Sequence, residues 1–409
     1  MKKVLIISYA YPPQNEIAAR RFSEMVPYFP ENGWEPYILT THSKGDLNFG
    51  GGEEIIYRKG FLPELDLNKN RESLLVKKIN SFRRKLGFLF RIFDSALYKW
   101  SNQILNDGAL IRELDEKKFD VIVASYGPSS VLRIGSFLSS KLSVPIVYDF
   151  RDLGALHEGA DFKQNYIARL IDKKLEGFYL SGCKGITTVS HGLAERLKEN
   201  YEVDVRVVYN GWAALEGGGI ESKDNESDVP YIYYAGRFYE HRMKSFFLLI
   251  DSIGETSYRL VIRSLGPRFL EDAIIEYAAE KNVQDRIRIL PRATSETIEK
   301  ESHAASINLV VEDMDRTYRS TKGTLTGKFM QLLVYDAPVL AIAREDSEIG
   351  DILRVTEKGA LVSDFDGIKY FFEEIKNDQL AYPGNKSLSK FSKKMQAIGL
   401  ARFLDEVIG

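Results

Sequence analysis

A repeated alternation of short apolar runs with longer helical patterns is the feature that most constrains the fold of this chain. The runs are rich in Val and Ile and lack the polar alternation of a half-exposed strand. Strands of this kind are buried on both faces, and helices between them predict a parallel sheet covered by helices. In the first half the runs are VLIIS (4–8), PYIL (36–39), VIVAS (121–125), PIVYD (145–149), GITTV (185–189) and VRVVY (205–209).

The alternation stops once and then starts again. Residues 211–230 are rich in Gly and charge and poor in core-forming residues, which is typical of a linker or an exposed loop. A chain of 409 residues also exceeds what one hydrophobic core normally serves. We therefore predict two α/β domains, at 1–212 and 229–386. The second series of strands is YIYYA (231–235), RLVI (259–262), IRIL (287–290), INLVV (307–311), PVLAIA (338–343) and ALVS (360–363).

Composition excludes several classes of protein. The apolar fraction of 44% and the charged fraction of 28% are those of an ordinary globular protein. A net charge of −2 argues against nucleic acid as the main partner. The single cysteine, Cys183, excludes an internal disulfide and a thiolate zinc site, and it suits the reducing cytoplasm. The opening MKKVLIISYAYPP reads as a first buried strand rather than a signal peptide, and no run of 18 apolar residues predicts a membrane-spanning helix.

The segment YIYYAGRFYEHRMKS (231–245) places basic residues after a strand. In an open parallel sheet ligands bind beyond the carboxyl ends of the strands, so two such domains are expected to face a cleft with these loops. Gly236 permits close approach of a ligand to the backbone, and Arg237, Arg242 and Lys244 follow it. This arrangement predicts a diphosphate clamp. A solvated basic face at a helix start remains the alternative.

A second basic candidate lies in KGTLTGKFMQLLVYDAPVLAIA (322–343). Gly323, Gly327 and Lys328 resemble a phosphate loop, but three residues rather than four separate the glycines, and Phe329 follows the lysine. A P-loop nucleoside triphosphatase is therefore excluded. What remains is a lysine in the first turn of an apolar helix, either a surface residue or an anion ligand.

Charged residues also follow a buried strand in VYDFRDLGALH (147–157). Asp149, Arg151 and Asp152 must pair with each other or meet a polar ligand, because unpaired burial of charge is costly. The segment fits either a structural Asp–Arg pair or a carboxylate that faces an acceptor hydroxyl.

A basic and apolar segment spans residues 69–100. It holds nine basic and two acidic side chains, interleaved with apolar residues such as Leu86, Phe88 and Phe90. This pattern predicts a helix lying on an anionic membrane surface, and a core helix with a basic outer face is the alternative.

These pieces, in this order, resemble the GT-B glycosyltransferases, in particular the family 4-like sugar-nucleotide enzymes. The resemblance covers nearly the whole chain, and no single motif carries it. It is found in SYAYPPQNEIAARR, PIVYDFRD, ITTVSHGLAERL, VYNGW, YYAGRFYEHRMK and LTGKFMQLLVYDAPVLAIA.

The resemblance implies an α/β fold of two Rossmann-like domains facing a cleft, with the segment 387–409 as a terminal helix that crosses back to the first domain. It implies a nucleoside-diphosphate sugar as co-substrate in the second domain, with a UDP-sugar favoured, and an acceptor in the first. It also implies retention of anomeric configuration and no requirement for a metal or other cofactor. Arg237 and Lys328 match the basic pair that stabilises the departing diphosphate.

The candidate site residues follow from these matches. Asp152 is the candidate that orients or deprotonates the acceptor hydroxyl, and Gln331 is the candidate ribose contact. The donor-binding candidates are Gly236, Arg237, Arg242, Lys244, Gly266, Leu290, Thr326, Lys328 and Gln331. The acceptor-side candidates are Asn15, Arg20, Gly127, Asp149, Arg151 and Asp152.

The chain departs from the family pattern at three places. The first loop has Gln14 to Ala19 where glycines are common, and the usual pair of glutamates is replaced by Gly323 and Gln331. The histidine that often follows the acceptor-side strand is replaced by the Asp149–Asp152 group.

The expected activity is transfer of a sugar to a glycan or lipid-linked acceptor in surface polysaccharide or glycoconjugate assembly, at the inner face of the cytoplasmic membrane. The alternatives are a nucleotide-sugar epimerase of the same fold and a non-catalytic relative.

Overall fold

A computed structural model describes residues 1–14, 17–42, 45, 55–61, 95–158, 166–213, 229–317, 322–376, 382 and 384–409. The described chain forms two compact units. Unit 1 comprises Met1–Asn210 and Lys393–Gly409, and unit 2 comprises Gly211–Ser392. Residues 387–392, which the sequence assigned to the terminal segment, thus group with unit 2, and the first division falls at 210/211 rather than 212.

Unit 1 contains a seven-stranded sheet in the order β3-β2-β1-β4-β5-β6-β7. Every neighbouring pair runs parallel. The strands are β1 (Lys2–Ser8), β2 (Trp34–His42), β3 (Ile55–Phe61), β4 (Val121–Ser125), β5 (Ile146–Phe150), β6 (Gly185–Thr188) and β7 (Val205–Val207).

Helices connect these strands and cover both faces of the sheet. They are α1 (Ile17–Ser23), α2 (Ser95–Leu105), α3 (Gly108–Lys117), α4 (Ser130–Leu142), α5 (Tyr166–Leu180), α6 (His191–Asn200) and α13 (Lys393–Ile408).

The two faces of the first sheet form separate cores because successive side chains of a strand point to opposite faces. Leu5 and Ile7 of β1 belong to a core that includes side chains of α2, α3, α4 and α6. Val4 and Ile6 belong to a second core on the other face. The carboxy-terminal helix α13 completes that second core with Ala397, Leu400, Ala401, Phe403 and Leu404.

Unit 2 contains a six-stranded sheet in the order β10-β9-β8-β11-β12-β13, and its neighbouring strands also run parallel. This is the same strand order as the first six strands of unit 1. The strands are β8 (Tyr231–Gly236), β9 (Arg259–Ser264), β10 (Ile287–Leu290), β11 (Ile307–Val311), β12 (Val339–Ile342) and β13 (Gly359–Val362).

Six helices accompany the second sheet: α7 (Met243–Ile253), α8 (Arg268–Glu280), α9 (Ser295–Ala304), α10 (Gly327–Leu332), α11 (Glu348–Thr356) and α12 (Phe365–Lys376). Side chains of α7, α8 and α12 form one core with β8, β9 and β11. Short 3-10 helices occur at Val26–Tyr28, Pro30–Asn32, Gly154–Leu156, Glu240–Arg242, Gln284–Arg286 and Lys386–Phe391.

The predicted fold class is confirmed: both units are doubly wound α/β structures with the strand order of a Rossmann fold. Among the described helices, none is both long and apolar enough to span a bilayer. The predicted membrane-surface segment 69–100 falls mainly outside the described residues, and its last six residues form the start of α2.

Candidate active site

In each unit the direction of strand winding reverses between two central strands. The reversal falls between β1 and β4 in unit 1 and between β8 and β11 in unit 2. In sheets of this kind ligands bind at the carboxyl edge at this point. The candidate residues of the two units are therefore expected to lie at these two edges.

In unit 2 the fold brings Lys328 to the end of β8. The Lys328 ammonium Nζ donates a hydrogen bond of 2.8 Å to the carbonyl of Ala235, two residues before Arg237. The side chain keeps an exposed surface, yet desolvation by the surrounding protein lowers the pKa of the Lys328 ammonium. The two basic residues predicted to act as a pair thus belong to one strand end, although 91 positions separate them in the sequence.

Arg237 is exposed and lies against an aromatic ring. Its guanidinium is 5.7 Å from the centroid of the Tyr239 ring. Within the part of the chain that the structure describes, no carboxylate forms an ion pair with Arg237. Its charge therefore stays accessible to an anion.

Arg242 differs, because it is paired with a buried carboxylate. Arg242 Nη2 lies 2.7 Å from Glu312 Oε2, and the Arg242 guanidinium is 4.8 Å from the centroid of the Tyr239 ring. Burial raises the pKa of Glu312 to about 7, while Arg242 opposes the shift. Arg242 Nε is buried without a hydrogen-bond partner in the described structure. We infer that Glu312 holds the Arg242 side chain in place and that the Arg242 Nε N–H is left without an acceptor among the described residues.

Glu312 was not predicted from the sequence. It directly follows β11, just as the charged residues that the sequence singled out in unit 1 come at the end of an apolar strand. A carboxylate immediately after an apolar strand was the signal that could have identified it. The main chain of Glu312 is fixed as well, because Ser245 Oγ donates to its carbonyl at 2.8 Å.

Lys244 lies in the first turn of α7 and is exposed. Its charge, together with that of Arg344, helps to lower the pKa of Asp315, for which hydrogen bonds from Thr317 are the main cause. Arg344 follows β12 and forms an ion pair with Asp346 at 2.6 Å. Basic groups therefore surround the β8, β11 and β12 ends of this edge.

The glycine candidates of unit 2 lie where chain segments approach closely. A Cβ on Gly266 would stand 2.7 Å from Phe238 Cβ and 3.1 Å from the Phe238 backbone nitrogen. A Cβ on Gly236 would meet the Tyr234 hydroxyl at 2.5 Å. The loops after β8 and β9 thus approach each other closely at Gly266, whereas Gly236 leaves room for the Tyr234 side chain of its own strand.

The remaining donor-side candidates have structural contacts of their own. Thr326 caps α10 and accepts from the Phe329 amide at 3.3 Å, and Leu290 is the last residue of β10. Gln331 Oε1 accepts from the Ala213 amide at 3.1 Å, and its Nε2 donates to the Ala213 carbonyl at 3.3 Å. A ribose contact by Gln331 would replace at least one of these two bonds.

In unit 1 Asp149 is the centre of a buried polar network. Arg21 donates from Nε to Asp149 Oδ2 at 2.8 Å and from Nη2 to Oδ1 at 2.6 Å. Thr187 donates to the same carboxylate at 2.8 Å, and Ser125 at 3.3 Å. Arg21 is 2% exposed and Asp149 is fully buried. This is the structural Asp–Arg pair that the sequence allowed, but its arginine is Arg21 rather than Arg151.

Arg151 instead supports the loop after β4. It donates to the Tyr126 carbonyl at 3.2 Å and to the Gly127 carbonyl at 3.4 Å. Gly127 has a φ of +106°, and a Cβ there would stand 2.9 Å from the Arg151 guanidinium. Gly127 is therefore required by both backbone conformation and space.

The other acceptor-side candidates lie apart from this network. Asp152 is exposed, and no described side chain pairs with it. Arg20 forms an ion pair with Glu24 at 3.4 Å. Asn15 falls outside the described residues.

Glu176 of α5 is a second carboxyl group that sequence reasoning missed. It is buried and accepts from the Tyr201 hydroxyl at 2.7 Å and from the Ala155 amide at 3.1 Å, in the loop after β5. Burial raises the pKa of Glu176 to about 7, and these hydrogen bonds together with one from Tyr126 oppose the shift. Its position inside an amphipathic helical pattern gave no signal.

No group of three or more His, Cys, Asp or Glu side chains suited to a metal ion occurs among the residues that the structure describes.

Comparison with known proteins agrees with this architecture. Residues 18–212 match the model of Glycosyltransferase Family 4. A glycosyltransferase from Rickettsia africae ESF-5 is 15% identical with a TM-score of 0.64, and the alignment covers 99% of this chain and 98% of that one. Sucrose-phosphate synthase from Thermosynechococcus elongatus is 12% identical with a TM-score of 0.65 and 99% coverage of both chains. Anabaena HepE, solved with UDP and glucose, is 9% identical with a TM-score of 0.61, covering 99% of this chain and 100% of that one. No curated protein matches the sequence.

These findings define the fold of the protein. The two doubly wound sheets give it the GT-B fold, and structures with this fold match it over nearly its full length. The family model covers almost all of the first unit. The chain therefore has the GT-B fold, and residues 18–212 are similar to Glycosyltransferase Family 4.

Proposed function

We propose that the protein transfers a sugar from a nucleoside-diphosphate sugar, with a UDP-sugar favoured, to a glycan or lipid-linked acceptor, with retention of anomeric configuration and without a metal ion. The proposed role is in surface polysaccharide or glycoconjugate assembly in the cytoplasm, at the inner face of the membrane. UDP bound to Anabaena HepE, which has the same fold, supports the choice of donor base.

The hydrogen bond from Lys328 to the Ala235 carbonyl is the observation that carries this proposal. It brings a desolvated ammonium to the strand end that also supplies the exposed guanidinium of Arg237. Two cations at the carboxyl edge of a doubly wound sheet fit a diphosphate.

The same pair suits the chemistry of transfer. The bond between the anomeric carbon and the β-phosphate oxygen breaks, and negative charge develops on the departing diphosphate. Arg237 and Lys328 would stabilise that charge, and preorganised donors of this kind are typically worth about 100- to 1000-fold in rate. The ion pair with Glu312 would hold the Arg242 guanidinium in position beside Arg237.

On the acceptor side, Asp152 is the proposed group that accepts or orients the hydroxyl proton. It is exposed, whereas Asp149 is bonded to Arg21, Thr187 and Ser125 and has no capacity left for a substrate. As the acceptor oxygen bonds to the anomeric carbon, its proton would pass to this carboxylate.

A transfer assay tests the proposal. The protein is incubated with UDP-glucose, UDP-galactose or UDP-N-acetylglucosamine, a lipid extract of bacterial membranes and a chelator, and release of UDP is measured. We expect release that depends on the lipid extract, persists with chelator and falls about 100- to 1000-fold in Lys328→Met. Release abolished by the chelator would contradict the metal-independent mechanism. Unchanged nucleotide sugar with every donor would favour a non-catalytic relative.

The stereochemical part of the proposal needs its own measurement. The anomeric configuration of the transferred sugar is determined by NMR on the isolated product. Retention gives the same anomer as in the donor, and inversion would contradict the proposed mechanism.

A further inference from the structure

Helix α5 in unit 1 exposes several large apolar side chains while it buries both of its carboxyl groups. Its exposed side carries Tyr166 and Phe178, whose side chains are 74% and 68% exposed, with Leu170 and Ile171 between them. Tyr166, Leu170, Lys174 and Phe178 recur every four residues, so they form one stripe along the helix. Such a helix normally turns apolar residues inward and charges outward.

The buried side of the same helix holds its acidic residues. Asp172 and Glu176 are buried, four positions apart, and Leu180 continues their stripe. The surrounding protein accommodates them: Glu176 accepts hydrogen bonds from Tyr201 and Ala155. Burial of both carboxyl groups removes all acidic charge from the exposed face of α5.

The other charged residues of α5 itself are basic. Arg169, Lys173 and Lys174 belong to α5, and Lys174 is exposed within the apolar stripe. Arg169 forms an ion pair with Glu158 at 2.8 Å, and Lys173 donates to Asn200 at 2.8 Å. The face thus joins exposed aromatic and aliphatic side chains to a positive charge, over about 18 Å from Tyr166 to Phe178.

A surface of this composition matches the interface of an anionic bilayer. Aromatic rings settle at the level of the headgroups, aliphatic side chains enter the acyl boundary, and lysines meet anionic headgroups. A protein partner would provide apolar contact equally well, but lysine is depleted from protein interfaces, and Lys174 lies within the apolar stripe. The charge pattern therefore distinguishes the two occupants.

We propose that the exposed face of α5, formed by Tyr166, Leu170, Ile171, Lys174 and Phe178, docks the protein on an anionic membrane surface. The proposal deepens the proposed function. Docking would hold unit 1 at the surface where a lipid-linked acceptor is found, and only this purpose of docking rests on the proposed function. Docking itself is independent of donor binding and of catalysis. The face of α5 also lies in a different part of the chain from the basic and apolar segment 69–100, which the sequence predicted to lie on a membrane surface.

Vesicle sedimentation of the full chain tests the proposal. The probes are vesicles of phosphatidylcholine alone and of phosphatidylcholine mixed with phosphatidylglycerol. We expect the wild type to sediment with the mixed vesicles only. The double variant Leu170→Ser/Phe178→Ser should lose about tenfold or more in affinity, because it removes much of the apolar surface that would enter the bilayer.

Two further variants make the result specific. Phe269→Ser removes another exposed aromatic ring, 57% exposed, from α8 in unit 2, and this variant should bind vesicles like the wild type. Lys174→Glu should weaken binding to the mixed vesicles, and added salt should reduce the difference from wild type. Because the substituted side chains are exposed, thermal melting should be unchanged, which excludes misfolding as the cause.

Two outcomes would overturn the proposal. One is a Leu170→Ser/Phe178→Ser variant that binds mixed vesicles as tightly as the wild type. The other is a wild type that ignores both kinds of vesicle but forms a dimer in solution that this double variant dissociates, which would assign the face to a second copy of the chain. Donor binding is measured separately on unit 2. A failure of membrane docking would therefore leave the proposed sugar transfer unaffected, and a failure of sugar transfer would leave docking unaffected.

Discussion

Asp149 and Asp152 stand three positions apart, yet the protein places their carboxylates in opposite environments. Asp149 is buried against Arg21, whereas Asp152 is exposed. Asp149→Ala would leave a buried arginine without its partner, which typically costs about 3–5 kcal/mol. Asp152→Ala should change the free energy of unfolding by less than about 0.5 kcal/mol. Urea unfolding of the two variants checks this, and equal losses of stability would contradict the structural role of Asp149.

Glu176 should make the stability of unit 1 depend on pH. Its pKa in the folded protein is about 7, above the ordinary 4.5 of an unfolded glutamate, so between these values the folded state keeps a proton that the unfolded state releases. Stability from this group is therefore present below about pH 4.5 and is lost as the pH rises to 7, by up to about 3 kcal/mol.

The neutral variant Glu176→Gln isolates that dependence. The groups around Glu176 are Tyr126, Tyr201 and Asp172, and Glu312 in unit 2 has a similarly raised pKa. We expect the melting temperature of Glu176→Gln to fall less between pH 5 and pH 8 than that of the wild type. Parallel curves for the two proteins would show that Glu176 does not titrate in this range.

Sequence reasoning at the residue scale could identify strand ends but not the partners found there. It singled out Asp149 because charge follows an apolar strand, and it left a structural pair and a substrate contact open. The deciding partner, Arg21, lies 128 positions away, and Gln331 meets Ala213 across 118 positions. Contacts over such separations depend on the fold, which no local pattern contains.

Among the elements, the apolar runs predicted twelve of the thirteen described strands to within a few residues. The missing one, β3, lies at the edge of the first sheet. Its sequence IIYRKGF holds two adjacent charges and a glycine, so it lacks the apolar run of a strand that is buried on both faces.

Substitution of two glycines by alanine tests the assigned strands and helices, because we expect opposite changes in the free energy of unfolding. Gly359 begins β13 with a φ of +148°, and a Cβ there would stand 1.9 Å from the Val339 carbonyl oxygen of β12. Gly359→Ala should therefore destabilise the protein by about 2 kcal/mol or more. Gly399 lies exposed inside α13 with open space around it, so Gly399→Ala should stabilise by about 0.5–1 kcal/mol. Chemical unfolding measures both, and a stable Gly359→Ala would contradict the register of β12 and β13.

At the scale of the whole molecule, the chain returns to unit 1 after completing unit 2. Leu400 of α13 is fully buried in the second core of unit 1, and Lys393 forms an ion pair with Glu24 at 2.9 Å. Leu400→Ala should cost about 2–5 kcal/mol, because it opens a cavity in that core. Met395→Ala on the exposed side of α13 is the control and should have little effect. Equal melting temperatures for the two variants would show that α13 does not contribute to unit 1.

The two-unit organisation was predictable because the apolar alternation stops and restarts. The role of Arg237 and Lys328 as a pair came from the resemblance to known glycosyltransferases and stays a prediction. The exposed apolar face of α5 was not. Its residues fit an ordinary amphipathic helix in sequence, and only the structure shows that the carboxyl groups face inward.

The central claim is that Arg237 and Lys328 bind a nucleoside diphosphate in unit 2. The most direct measurement is a thermal-shift panel of UDP, GDP and ADP with chelator, on the wild type, on Arg237→Ala and on Arg354→Ala. Arg354 is an exposed arginine at the carboxy-terminal end of α11, so it controls for loss of one positive charge. We predict that one nucleotide at saturating concentration raises the melting temperature of the wild type and of Arg354→Ala by about 5–10 °C, and that Arg237→Ala loses most of this rise. No stabilisation by any of the three, or the same stabilisation in Arg237→Ala, would contradict the account.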